Sequence, residues 1–336
     1  MNWKKAALGL MAGLVSATIL AGCGGGGGTK TDGDPKKPAA TPSAQLELKG
    51  EPSSTFQFGS KTAKIYELKG PAADKDFIFT GERVVYANGA IYLHGEASDG
   101  KGGDVKGLYK LPLKGDEITG KTMVAKSDGD DADKRNLAVC RDKVLFKLMD
   151  GDKLGLYNGS SLDKSDGKWK DDYDSMVGFA EGSELLMVRG TDKVCVANQE
   201  LSDIKNVKVV VDDAKKALKL EDAVMRPVYA DANELFLSTL LSFENFTTDL
   251  VVFDKKGKLL ARYAGLKDDP ADWAVTKHYL VQASATGDVL IYDRSNGKMV
   301  FNARVNQFVP RYLYSMGGDM ILACDNVTKF YILKLE

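Results

Sequence analysis

The sequence predicts an all-β chain built from one repeated sheet unit, on three observations. Short apolar runs rich in Val, Ile, Leu, Tyr and Phe alternate with tight-turn residues along most of the chain. The runs recur at a near-constant spacing. Glycine is abundant, 35 residues against 9 prolines, as many tight turns require. The clearest unit is Asp288–Arg304, DVLIYDRSNGKMVFNAR. Val289–Tyr292 reads as one strand, Ser295-Asn296-Gly297 as a turn and Met299–Phe301 as the next strand. One residue near the end of each run serves as a marker: Tyr66, Tyr109, Tyr157, Ala197, Phe253, Tyr292 and Leu333. The gaps between them are 43, 48, 40, 56, 39 and 41 residues. A period of roughly 40–45 residues made of short strands predicts a single β-propeller with four strands per blade. Paired β-sandwiches would not carry one period through the chain, and a β-helix repeats at about half that length.

The first segment reads as an address. Lys4 and Lys5 precede an apolar run, Ala6–Leu20, that is shorter than the ~18 residues of a spanning helix. Leu20-Ala21-Gly22-Cys23 follows, and it resembles the bacterial lipobox. The resemblance implies a signal peptide over residues 1–22, cleavage before Cys23, and a lipid on the Cys23 sulfur that makes the bilayer a partner. Gly24, where an Asp would retain the protein at the inner membrane, implies the outer membrane facing the periplasm in a diderm, and otherwise the cell surface. Five glycines, Gly24–Gly28, then lead into the Pro-, Lys-, Thr- and Ser-rich Thr29–Ser54. Such a segment cannot bury enough apolar surface to offset its ordering entropy, so residues 23–54 are expected to be a tether about 30 Å in average span.

From Thr55 to Glu336 the hairpins follow in order. Arg83–Tyr86 and Ala90–Leu93 flank Asn88-Gly89, a strong two-residue turn. Leu137–Cys140 with Val144–Leu148, Ser175–Phe179 with Glu184–Val188, and Met225–Tyr229 with Glu234–Leu237 repeat the form. Trp273–Val275 with Tyr279–Ala283 and Tyr312–Tyr314 with Met320–Ala323 complete six hairpins, each followed by a marker strand. The last blade ends at Glu336 without a fourth strand, and Lys64–Leu68 can supply it, which predicts six blades closed by an N-terminal strand. The alternative is a seventh, thin blade from Leu46–Leu48, Phe56–Phe58 and Lys64–Leu68.

The 56-residue gap holds two insertions. Asp212–Leu220 has the cap and one-sided apolar pattern of a short helix. Leu241, Phe243 and Phe246 extend a strand beyond the repeat and are the candidate contact residues. The other reading is that they pack on the inserted helix.

The repeat resembles the PQQ-like and YVTN-type propeller repeats of bacterial envelope proteins, most closely in Asp288–Val300 and next in Leu250–Leu260. A lipobox, a tether and such a propeller together are similar to the propeller lipoprotein of outer-membrane β-barrel assembly. That lipoprotein has more blades and a stronger Trp pattern, whereas this chain has only Trp3, Trp169 and Trp273.

Little catalytic chemistry is visible. There is no G-x-S-x-G elbow, no P-loop and no H-E-x-x-H pair. No two cysteines are adjacent, which argues against a quinone-cofactor enzyme, and no cofactor is expected. The carboxylate clusters Lys126–Asp133, Asp150–Asp152 and Asp171–Asp174 miss the calcium-loop spacing, so no metal site is expected there. Cys140, Cys195 and Cys324 lie inside apolar runs and read as core residues, with one disulfide among them left open. His94 and His278 have no evident partner. Lys and Arg total 46 against 47 Asp and Glu, a balance that gives no reason to invoke nucleic acid. The expected function is a non-catalytic binding or scaffolding module for another envelope component. The alternatives are a metal-dependent lactonase- or lyase-like propeller, or capture of an extracellular sugar or peptide.

Overall fold

In the computed structural model, six antiparallel sheets stand around a common axis. The described residues are 46–70, 77–98, 103–126, 136–148, 153–168, 173–190, 193–208, 224–240, 248–267, 270–325 and 329–336. Blade 1 comprises Phe77–Ala87, Ala90–Ser98, Asp104–Lys114 and Thr122–Lys126, with Glu117–Ile118 folded back on its third strand. Blade 2 comprises Leu137–Cys140, Lys143–Lys147, Lys153–Tyr157 and Leu162–Lys168. Blade 3 comprises Tyr173–Gly178, Glu184–Arg189, Lys193–Asn198 and Ile204–Asn206. Blade 4 comprises Val224–Ala230, Glu234–Leu240, Thr248–Asp254 and Leu259–Tyr263. Blade 5 comprises Pro270–Val275, Tyr279–Ser284, Asp288–Asp293 and Met299–Arg304.

Blade 6 is made by both ends of the chain. Tyr312–Gly317, Met320–Cys324 and Phe330–Leu335 pair in sequence, and Lys61–Glu67 then pairs antiparallel with Phe330–Leu335. Ser54–Phe58 adds a fifth, outer strand. The protein is therefore a six-bladed β-propeller; of the segments considered for a seventh blade, Phe56–Phe58 and Lys64–Leu68 fall in the sixth, and Leu46–Leu48 forms no strand. Tyr66, the first marker of the period, lies in a fourth strand, while the other six markers lie in third strands; seven markers thus correspond to six blades. Leu46 and Leu48 pack against the core between blades 6 and 1. The expected helix Asp212–Leu220 lies outside the described residues.

The first strands of successive blades touch all the way round, blade 6 against blade 1 included. The core consists of six apolar slabs, one in each seam between neighbouring blades. Inner strands are therefore buried on both faces. Leu235 and Leu237 face blade 3, whereas Phe236 between them faces blade 5. This explains the continuous apolar runs where a one-sided sheet would alternate. Asn88 and Gly89 sit at φ of 50° and 71°, the left-handed pair that a tight two-residue hairpin demands. Where the first strands of blades 2 and 3 meet, a Cβ on Gly178 would lie 1.6 Å from the Val139 carbonyl oxygen, so only glycine fits.

Closure through Lys61–Glu67 has a measurable weight. Ile65 is 2% exposed and pairs with Leu333 across the closing ladder. Ile65→Ala is expected to lower the free energy of unfolding by about 2–5 kcal/mol in urea titration. A change below about 1 kcal/mol would show that the two ends of the chain are not held as described.

Candidate functional site

The inner strand of blade 1 carries an irregularity that shapes the axis. Phe79 pairs with Gly95 and Val84 with Leu93, so the four residues Thr80–Arg83 oppose the single residue His94. A bulge of this kind re-aims a side chain. Here it sends Arg83 across the ring, where its guanidinium donates to the carbonyl of Met176 in blade 3 and, at 3.0 Å, to that of Pro227 in blade 4. Tyr314 of blade 6 lies near enough to interact electrostatically with Arg83, Tyr229 and Cys140, and burial pushes its phenol well above the ordinary range. The axis thus holds the Arg83 guanidinium, with Tyr229 and Tyr314 near it.

Turns between first and second strands, and between third and fourth strands, share one face of the ring. A series of polar ties crosses the seams there. His278 Nδ1 lies 2.6 Å from Asp319 Oδ2, and the His278 amide and the Thr276 hydroxyl each donate to Asp319 Oδ1 at 2.9 Å. Arg294 of blade 5 donates from Nη2 to Asp231 and Glu234 of blade 4 at 2.7 Å each, with its guanidinium over the Phe236 ring. Burial alone would raise the Asp231 carboxyl. The Asn233 amide, Arg294 and the Glu234 amide outweigh it and hold that carboxyl below the usual range. Ala180 and Ala230 join blades 3 and 4 through a backbone bond of 2.8 Å. Lys110 reaches the Gly159 carbonyl at 2.8 Å and joins blade 1 to blade 2.

Among the described residues, the side chains of Tyr92, His94 and Ser175 are buried without a hydrogen-bond partner. Tyr92 and His94 alternate along the second strand of blade 1, and neither the tyrosine hydroxyl nor either imidazole nitrogen makes a hydrogen bond. Burial lowers the His94 pKa from 6.5 to about 4.

The three thiols are buried, and no disulfide joins them among the described residues. Cys140 donates to the Glu184 carbonyl at 3.2 Å, and burial pushes it up to about 12. Cys324 donates to Asp325 O at 2.9 Å, and burial holds it well above the usual thiol range. Sequence reading placed these cysteines in the core, as found. It missed the partner of His278, which stands 41 residues on, and the axial role of Arg83. A signal for the first existed: Asp319 falls in the same turn of the next repeat. Lipidation residue Cys23 and the contact residues Leu241, Phe243 and Phe246 lie outside the described residues, as do most of the carboxylate clusters. Among the described residues no group of three or more His, Cys, Asp or Glu side chains is placed to hold a metal ion.

With the ring and its axis in view, the chain can be set beside known proteins. No family model matches it, and no curated protein does. Among solved structures it is similar to the WD40 β-propeller domain of Doa1, at 12% identity over 84% of this chain and 97% of that one, with a TM-score of 0.46. It is also similar to virginiamycin B lyase from Staphylococcus aureus. A catalytically inactive form with quinupristin matches at 12% identity, 81% and 99% coverage and a TM-score of 0.45. The selenomethionine-substituted form matches at 11% identity, the same coverages and a TM-score of 0.47. The blade count rests on the strand pairing of this chain and not on these likenesses.

Two outcomes are expected from these side chains. Cys140, Cys195 and Cys324 should resist a thiol reagent at pH 8 in the folded chain and all react in denaturant; rapid labelling of any of them while folded would contradict their burial. His94 is held neutral, so the unfolded chain binds its proton first as pH falls below about 6.5. Stability should therefore drop by about 3 kcal/mol between pH 6.5 and 4, relative to His94→Leu, in denaturation curves at each pH. Parallel pH profiles for the two proteins would refute this.

Proposed function

We propose that the chain is a lipid-anchored envelope protein whose propeller is a non-catalytic binding or scaffolding module for another envelope component. The observation that supports this most is the occupied axis. A propeller enzyme of the lactonase or lyase kind would gather carboxylates or imidazoles on a metal in the channel. Here a guanidinium sits there, and its positive charge opposes a divalent ion on the same line. The ring instead offers a rigid rim, with loops gathered at two faces. A lipid on Cys23 and the following tether would keep that rim at a membrane, where effective concentration strengthens weak contacts.

Expression in a bacterial host with labelled palmitate tests the anchor. The wild-type chain should take up label and fractionate with membranes, and Cys23→Ser should do neither. Equal labelling of the two forms would remove the lipoprotein reading. Elemental analysis of the purified chain tests the second half: one tightly bound metal per chain would favour the enzyme over the scaffold.

A further inference from the structure

The seam between blades 3 and 4 opens, on the face that carries the turns, into a cleft of about 310 Å³. Four lysines line it: Lys205 and Lys208 from the edge of blade 3, and Lys255 and Lys256 from the turn of blade 4 that follows Asp254. Glu184 is the single carboxylate of the lining, and Asn206 adds an amide. Val196 and Val207 supply its apolar surface. Lys255 is positioned by Glu184 at 3.5 Å and by the face of Phe179, 4.7 Å from the ring centroid. Lys205 pairs with Asp203 at 3.1 Å. Lys208 and Lys256 make no ion pair among the described residues. The lining therefore carries four positive charges against the Glu184 carboxylate, with Asp203 beside Lys205 as a second negative charge, in a chain whose formal net charge is −1. Its volume is at the lower end of the range for small-ligand sites, roughly 300–1,000 Å³.

We infer that this cleft binds a phosphate-bearing anion. Ammonium groups act as point charges on phosphate oxygens, and several converging on a half-enclosed space gain from the lower local dielectric. Lys255 is held in place as a fixed cation. The two unpaired lysines are free to close on the ligand. The phosphate can belong to a soluble phosphoester or to a lipid headgroup, and the chemistry of the cleft is the same for both. The inference holds whether or not Cys23 is acylated.

The test uses the full chain in detergent at low salt. Titration calorimetry with inorganic pyrophosphate should show one saturable site. Lys208→Glu with Lys256→Glu should weaken it by about tenfold or more at an unchanged melting temperature. The neutral pair Lys208→Gln with Lys256→Gln should weaken it less, and serves if charge reversal disturbs folding. Lys61→Glu with Lys114→Glu, on lysines away from the cleft, should leave binding unchanged. In parallel, binding to phosphatidylcholine vesicles is compared with binding to vesicles that also contain phosphatidylglycerol. Saturable pyrophosphate binding without preference for the anionic vesicles assigns a soluble ligand. A preference for anionic vesicles that the cleft variants abolish assigns a headgroup. No saturable pyrophosphate site together with no vesicle preference would overturn the inference, as would equal losses in the cleft and control pairs.

Discussion

Everything in this fold depends on the pairing of Lys61–Glu67 with Phe330–Leu335. Each blade buries both of its faces against neighbours, so no blade is complete alone and the ring is stable only when closed. The closing strand serves two seams at once. Ile65 points into the slab between blades 5 and 6, while the next residue, Tyr66, belongs to the slab between blades 6 and 1. Without this strand, Phe330–Leu335 would present an open edge, and the slabs on both sides of blade 6 would lose part of their surface. Neighbouring blades depend on each other in the same way around the circle, so loss of closure propagates through every seam.

The polar contacts refine this apolar ring more than they hold it together. The ties on the turn face are partly exposed, and exposed ion pairs contribute at most about 1 kcal/mol each. Their value is geometric. His278 and Asp319 occupy equivalent turns of adjacent repeats, so their contact ties the turn of blade 5 to that of blade 6. Arg83 differs because it reaches carbonyls on blades that are not its neighbours. A single side chain thus ties blade 1 to blades 3 and 4 across the axis, and the bulge that aims it leaves four residues opposite His94, whose buried ring makes no hydrogen bond.

What could be read from residues alone follows from which faces are buried. Strands apolar on both sides, such as Leu250–Phe253 and Val289–Tyr292, stand out in any window, and they gave the period and all six hairpins. Fourth strands lie at the rim with one face in water, so Leu162–Lys168, LDKSDGK, carries no apolar signature and was not recognised. Tyr66 shares the marker pattern of the third strands although it lies in a fourth, and the missing fourth strand before Glu336 is what assigned Lys64–Leu68 to the closure. Arg83 was hidden for a different reason. A bulge changes where a side chain points without changing the apolar pattern around it. The lysine cleft was hidden by averaging: near-equal totals of acid and base say nothing of four lysines from segments some 50 residues apart meeting at one seam.

The position of that cleft in the ring follows from the order of the blades. The described chain begins at Leu46, packed in the seam between blades 6 and 1. In a six-membered ring, the seam between blades 3 and 4 is diametrically opposite. The lysines of the cleft therefore come from two blades that do not include the closing strand, and the seam they line shares no slab with the one that holds Ile65 or Tyr66. Charge reversal at Lys208 and Lys256 changes the potential of that seam without touching closure, which is why an unchanged melting temperature is the right companion to a loss of binding.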